Sequence, residues 1–149
     1  MDGFTERFEC FTTAVSRAYK CVQRIKNAET ERMGLKGTHV MCLYYLGKSP
    51  DGLTASELCK LCNEDKAAVS RTILDLTEKG YITSAEADPK RKYRAKLALT
   101  ESGRKRNTEI KQAIARAVDK ASEGLDQTER ECFYKVFFTI TDNLEKLCR

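Results

Sequence analysis

The sequence predicts a mainly α-helical chain with one small β-hairpin, its short central helices flanked by long amphipathic helices at both ends. Three observations lead to that class. Phe4, Phe8, Phe11, Val15, Ala18, Val22 and Ile25 recur at alternating spacings of four and three residues, a heptad seam along one face of a long helix. Between residues 49 and 80, turn and cap signals mark out two short helices joined by a tight turn. Beyond them, "YITSAEA" (81–87) and "AKLALT" (95–100) read as two strands joined by the cationic run "DPKRKYR" (88–94).

The elements follow in order. The first helix runs from about Gly3 to Asn27, and its seam must be buried, either within the chain or against a helix of a second chain. A second helix spans about Lys36 to Leu46. "SPDG" (49–52) makes a turn, and Thr54 with Glu57 forms the T-x-x-E capping box that opens a third helix, Leu53 and Leu58 standing where a hydrophobic staple closes over it. That helix ends near Cys62, where "NED" (63–65) supplies a turn and a new N-cap. A fourth helix runs to Lys79 and stops at Gly80. Its Val69, Ile73 and Leu76 face the core, and Ala67, Ser70, Arg71 and Asp75 lie toward another face.

Two short helices with small and polar residues at the start of the second form a helix-turn-helix. The hairpin that follows, with Ala95, Leu97 and Leu99 on one face, is in the place of a wing. Thr100 caps a fifth helix from about Glu101 to Glu123, carrying Ile110, Ile114, Ala117 and Ala121 and ended by Gly124. Asp126 and Glu129 open the last helix, with Phe133, Val136, Phe137, Ile140, Leu144 and Leu147 as its apolar positions. The expected fold is a winged helix-turn-helix bracketed by long helices, in three segments: 1–34, 35–100 (helices 54–62 and 65–79, wing 81–100) and 101–149.

Composition narrows the function classes. The chain has 149 residues, 41% hydrophobic and 33% charged, and a net charge of +5. That describes a folded soluble domain with a modest bias toward anionic partners. No apolar run approaches the ~20 residues of a membrane span, and Glu6, Arg7 and Glu9 interrupt any signal-peptide core. The expected location is the cytoplasm, without membrane partners. Seven cysteines, an odd number, are expected as free thiols there. With one histidine, no nucleophile–base pair and no phosphate loop, an enzyme is not expected, nor is a cofactor.

The residues "GLTASELCKLCNEDKAAVSRTILDLTEKGYI" (52–82) and "DPKRKYRAKLALTESG" (88–103) resemble the MarR family of bacterial winged helix-turn-helix transcriptional regulators. They include "VSR" in the fourth helix and the L-T-x-x-G that opens the fifth. The resemblance covers about residues 34–125 and extends to the flanking helices by pattern. It implies a homodimer held by N- and C-terminal dimerisation helices, pseudo-palindromic double-stranded DNA as partner, and release by a small aromatic or anionic effector, a metal or an oxidant. The simplest such regulator is a repressor.

On that reading the fourth helix is the recognition helix. Lys66, Ala67, Ala68, Ser70 and Arg71 are its candidate DNA contacts, since the major groove presents a distinguishable code to hydroxyls, guanidinium forks and small apolar groups. Lys90, Arg91, Lys92, Tyr93 and Arg94 are the candidates in the wing, because a cationic tip suits a narrow, strongly negative minor groove. The family's wing commonly reads D-x-R-D-x-R. Here Asp88, Lys90, Arg91 and Tyr93 hold the corresponding positions, which makes Arg91 and Arg94 the candidate minor-groove arginines and Lys90 the nearest positional match. Arg104, Lys105 and Arg106 extend the basic patch into the fifth helix.

In the family, small aromatic anions sit between the dimerisation helices and the winged helix, where Tyr19, His39, Tyr44 and Tyr45 are the candidates here. His39-x-x-Cys42 and Cys59-x-x-Cys62 match a zinc-ribbon spacing on paper. Their helical placement would require four ligands to converge from two helices, so no metal is expected, and His39 is read as capping or packing near the second helix. A redox-responsive regulator using Cys42, Cys59 or Cys62, with Cys10 and Cys21 as further thiols, is one alternative. A winged-helix module that binds protein or RNA is another.

Overall fold

The computed structural model describes residues 3–84 and 95–148. Six helices and two strands follow in the order α1 (Gly3–Arg32), α2 (Gly37–Gly47), α3 (Ala55–Cys62), α4 (Lys66–Glu78), β1 (Ile82–Ser84), β2 (Leu97–Leu99), α5 (Glu101–Ala121) and α6 (Gln127–Leu147). The mainly helical class with a small hairpin is as the sequence predicts. The chain divides into two compact units, Met1–Lys111 and Gln112–Arg149.

In the first unit, the core sits under the three short helices. Leu35, Cys42, Leu43, Leu46, Leu58, Val69, Leu76, Ile82, Leu97 and Ile110 form one buried cluster. Helix α2 buries His39, Cys42, Leu43 and Leu46, the i, i+3, i+4, i+7 stripe of a helix packed on one side. Helix α3 begins as its cap signals predict. The Thr54 hydroxyl accepts from the Glu57 backbone N–H at 3.2 Å, and the Glu57 carboxylate accepts from the Thr54 N–H at 2.7 Å. The Thr54 N–H, first, and the Thr54 hydroxyl, which donates to the same carboxylate at 3.1 Å, hold the Glu57 carboxyl below its ordinary range. Buried Leu58 and half-buried Leu53 lie in and against the core cluster, consistent with the staple.

Asn63, at φ 52°, ends α3 in the left-handed region, which asparagine tolerates better than most residues. Two residues later Asp65 caps α4, its carboxylate accepting from the Ala68 N–H at 2.7 Å. The turn between the two helices is therefore three residues long, set by local hydrogen bonds at both edges.

The hairpin pairs Ile82 with Leu99, Thr83 with Ala98 and Ser84 with Leu97. Its described strands are shorter than the runs read from the sequence, and residues 85–94 lie outside the described residues. The sequence also concealed a third partner for the hairpin. Leu53 and Leu97 exchange both backbone hydrogen bonds, at 3.0 and 2.8 Å, tying the segment before α3 to β2. Gly52 makes this possible: at φ 83°, its position for a Cβ lies 2.8 Å from the Leu97 carbonyl oxygen. At the other end of the wing, Thr100 caps α5 by accepting from the Gly103 N–H at 3.0 Å and donates to the Gly80 carbonyl at 2.6 Å. Gly103 sits so close to β1's base that a Cβ there would overlap the Tyr81 carbonyl oxygen.

Helix α1 runs five residues past its expected end at Asn27. The apolar seam stops at Ile25, but "AETER" continues with good helix formers and a Glu29–Arg32 ion pair at 2.9 Å, until Gly34 at φ 66° breaks the helix. Its seam is largely uncovered: Phe4 is 78% and Phe8 69% exposed.

The second unit contains the end of α5 and all of α6. Asp126 and Glu129 form the expected capping box, at 2.9 Å in both directions. In α6, Phe133, Val136, Ile140, Leu144 and Leu147 are exposed, and Phe137 is half-buried.

Candidate nucleic-acid interface

Helix α4 has two distinct faces. Val69 and Leu76 are fully buried and Thr72 nearly so, with Ile73 packed against the same cluster. Thr72 was missing from the expected buried face because a hydroxyl gives no apolar signal. Opposite it, Ala67, Ser70 and Arg71 are exposed, as the spacing predicts. Lys66 is also exposed, and Ala68 is half-buried at the edge, its N–H held by the Asp65 cap.

Leu74 extends the exposed face and was not among the predicted contacts. It is 59% exposed although apolar, and it lies three residues beyond Arg71 and four beyond Ser70, so the three share one surface. The signal was in the sequence: the spacing 67, 70, 71, 74 continues the polar stripe, but a leucine read by type alone belongs to a core. The face thus offers a hydroxyl, a guanidinium fork and an apolar side chain in a row, groups able to donate to phosphates, pair with guanine edges and cover thymine methyls.

Asp75, grouped by sequence with the outer face, is turned instead to α2. Its carboxylate lies 3.2 Å from His39 Nε2 and 3.9 Å from Lys36 Nζ. The other imidazole nitrogen, Nδ1, accepts from the Lys36 backbone N–H at 3.2 Å. With Nδ1 accepting, the proton sits on Nε2 and points at Asp75. His39 therefore caps the start of α2 and locks it to α4, in line with its reading as a capping or packing residue. A cleft of about 400 Å³ opens over this contact, lined by Leu35, Lys36, His39, Asp75, Glu78 and Lys79.

Of the four candidate effector residues, only His39 lines that cleft. Tyr44 and Tyr45 stack edge-on with ring centroids 5.5 Å apart, and Tyr19 is 65% exposed on α1. The wing candidates Lys90, Arg91, Lys92, Tyr93 and Arg94 lie outside the described residues. At the start of α5 the basic run is already engaged. Arg104 donates to the Leu99 carbonyl at 3.1 Å, Lys105 lies 3.8 Å from Glu101, and Arg106 bridges Glu109 at 2.7 Å and the Tyr81 hydroxyl at 3.1 Å. The Tyr81 contact, first, and the Glu109 carboxylate raise the Arg106 guanidinium above its ordinary range. Arg106 is a brace between α5 and the base of the wing.

The candidate thiols separate into two kinds. Cys10, Cys21, Cys132 and Cys148 are exposed, whereas Cys42 is fully buried and Cys59 and Cys62 are half-buried. Cys42 Sγ lies 3.7 Å from Cys62 Sγ. The hydrogen bond between them pushes the Cys42 thiol up, with burial adding to the effect, and holds the Cys62 thiol down, against burial and the Glu64 carboxylate. Among the described residues, no three histidine, cysteine, aspartate or glutamate side chains gather as a metal-holding group.

A MarR family model matches residues 33–92, the segment from the α1–α2 connection to a point between β1 and β2. No curated protein matches the chain. Among solved structures, a MarR family transcription regulator is 22% identical with a TM-score of 0.82, covering 99% of this chain and 98% of its own. A MarR transcriptional regulator from Methanosarcina mazei Go1 is 22% identical with a TM-score of 0.72, covering 92% and 98%. MarR itself is 24% identical with a TM-score of 0.69, covering 91% and 98%. The resemblance read from the sequence holds: residues 33–92 carry the MarR family pattern, and the chain has the fold of the MarR family transcription regulators.

Proposed function

We propose that the chain is a homodimeric, sequence-specific DNA-binding transcriptional regulator of the cytoplasm, acting as a repressor. The observation that carries this reading is the face of α4 formed by Ala67, Ser70, Arg71 and Leu74. It is open to solvent and backed by a side packed through Val69, Thr72 and Leu76. Such a helix can enter a major groove without disturbing its own core. Residues 88–94 bring four cations to the wing segment, suited to an adjacent minor groove.

Dimerisation is supported by two apolar faces, each too extensive for a solitary helix. Phe4, Phe8, Val15, Val22 and Ile25 are exposed along α1, and Phe133, Val136, Ile140 and Leu144 along α6. Segments 1–34 and 101–149 are the dimerisation elements in this reading, and 35–100 is the DNA-binding domain. Two recognition helices roughly 34 Å apart would meet successive major grooves of a pseudo-palindrome, and a dimer seated there blocks polymerase. An effector releases DNA by changing that spacing. The cleft over His39 and Asp75 is the candidate entry point, because a small anion drawn to Lys36 and Lys79 there would compete with the carboxylate that ties α4 to α2.

The test is binding of the reduced, ligand-free protein to duplex DNA from upstream of its own gene, across a salt series, with unrelated DNA as control. Selective binding with one dimer per pseudo-palindrome is expected. Unselective binding that vanishes steeply with salt would leave only a generic polyanion contact. Removing residues 1–25 should leave a poor dimer that binds DNA weakly; a truncated chain that still dimerises and binds tightly overturns the dimer assignment.

A further inference from the structure

We propose that Leu74 reads a base: its side chain seats the 5-methyl group of a thymine on the base pair next to the guanine gripped by Arg71. This rests on the DNA-binding function proposed above and deepens it by naming what each half-site contains. Leu74 is 59% exposed, more than any other large apolar side chain among the described residues of segment 33–111. Single exposed leucines are ordinary on a protein surface; the setting of this one is not. It stands three residues from Arg71, four from Ser70 and seven from Ala67, all exposed, so the four share one stripe of α4. The carboxylates of α4, Asp75 and Glu78, line the cleft over His39 instead. Thr77, the next polar residue, turns its hydroxyl back to the Ile73 carbonyl at 2.7 Å. The stripe therefore ends in an apolar group where a charge would be expected on a solvated helix.

The chemistry of the groove selects one base. In the major groove adenine and cytosine present an amino donor and guanine presents two acceptors, whereas thymine alone adds a methyl group. A leucine laid on an amino group strips its water and offers no acceptor in return, which is unfavourable. Laid on the methyl group, it removes two apolar surfaces from water.

The register follows from helix geometry. Three residues carry Leu74 about 4.5 Å further along the helix axis than Arg71, and successive base pairs are roughly 3.4 Å apart. A helix lying along the groove thus sets the two side chains over neighbouring base pairs. A dimer on a pseudo-palindrome makes the pair of contacts twice.

The experiment selects duplexes from a randomised library with the full-length reduced protein and, in parallel, with Leu74→Ala. Wild type should enrich a thymine beside a guanine in each half-site. Leu74→Ala should lose the thymine preference and keep the guanine. Each thymine of the selected duplex is then replaced by deoxyuridine, which lacks only the methyl group, and Kd is read by fluorescence anisotropy. Burial of one methyl carbon predicts a loss of about fourfold at the thymine beside the guanine, and roughly sixteenfold when both half-sites are changed. Uracil at other positions should change little. For Leu74→Ala the thymine and uracil duplexes should bind alike. Wild type that tolerates uracil at every position overturns the proposal, and that arm needs no variant to fold. A thymine–uracil gap that survives in Leu74→Ala overturns it as well, and a gap only at thymines away from the guanine overturns the register. A protein that selects no sequence fails the function proposed above; one that selects a sequence but ignores every thymine methyl fails only the role given to Leu74.

Discussion

Leu74 and Leu76 are two residues apart on one helix and should behave as opposites when each is cut to alanine. Leu76 is completely buried and Leu74 is 59% exposed. Removing the three extra carbons of a buried leucine forfeits about 2.4 kcal/mol of transfer free energy at ~0.8 kcal/mol per carbon. The cavity left at Leu76 brings the cost to about 3–4 kcal/mol. In a chain of this size that lowers the Tm by roughly 10 °C. Leu74 has about two fifths of its surface covered and leaves no cavity, so its loss costs at most about 1 kcal/mol. Its remaining exposed part, if covered by DNA, contributes about 1.4 kcal/mol to binding, a tenfold change in Kd. Thermal denaturation at fixed protein concentration and fluorescence anisotropy on a labelled operator read the two effects separately. Leu74→Ala should keep its fold and lose about tenfold in affinity, with the loss concentrated on cognate DNA. If Leu74→Ala melts as early as Leu76→Ala, or binds operator as wild type does, then the face carrying Ser70 and Arg71 is not the one that reads DNA.

Other substitutions test the remaining parts. Arg71→Ala should relax sequence preference, whereas Lys92→Ala should weaken binding to all sequences and reduce the salt slope by about one; equal losses on every sequence from Arg71→Ala would show it touches only phosphate. Gly103→Ala puts a Cβ into the Tyr81 carbonyl oxygen and 3.3 Å from Leu99 Cδ2, and should cost about 1–3 kcal/mol, seen as a Tm several degrees lower; an unchanged Tm would mean that α5 and the wing base are not in close contact. Because Glu57 titrates below its ordinary range in the folded chain, its contribution is present above the unfolded value of about 4.3 and lost as pH falls through the lower folded value. The Tm gap between wild type and Glu57→Gln should therefore narrow on acidification, and a gap independent of pH would remove the capping carboxylate from the acid response.

What was legible in the sequence was local. The caps at Thr54, Asp65, Thr100 and Asp126 each satisfy a backbone N–H three residues away, so the chain order alone announces them. The core stripe of α4, Thr72 apart, follows from helical period for the same reason. The contacts that couple one element to another were not legible, because they join residues far apart in sequence with no shared pattern. Leu53 pairs with Leu97, His39 meets Asp75, and Cys42 touches Cys62. All three bear on the α3–α4 pair, holding respectively the segment that enters α3, helix α4 and the end of α3. The sequence thus displayed the outer face of α4 and hid its supports, and Asp75 was misplaced on that account. Its spacing puts it beside Arg71, yet the buried imidazole of His39 offers it a donor that solvent cannot match in a partly dry setting. A carboxylate left on the outer face would repel phosphate. Turned toward α2, it keeps its charge off the Ala67, Ser70 and Arg71 face and fastens α4 to α2.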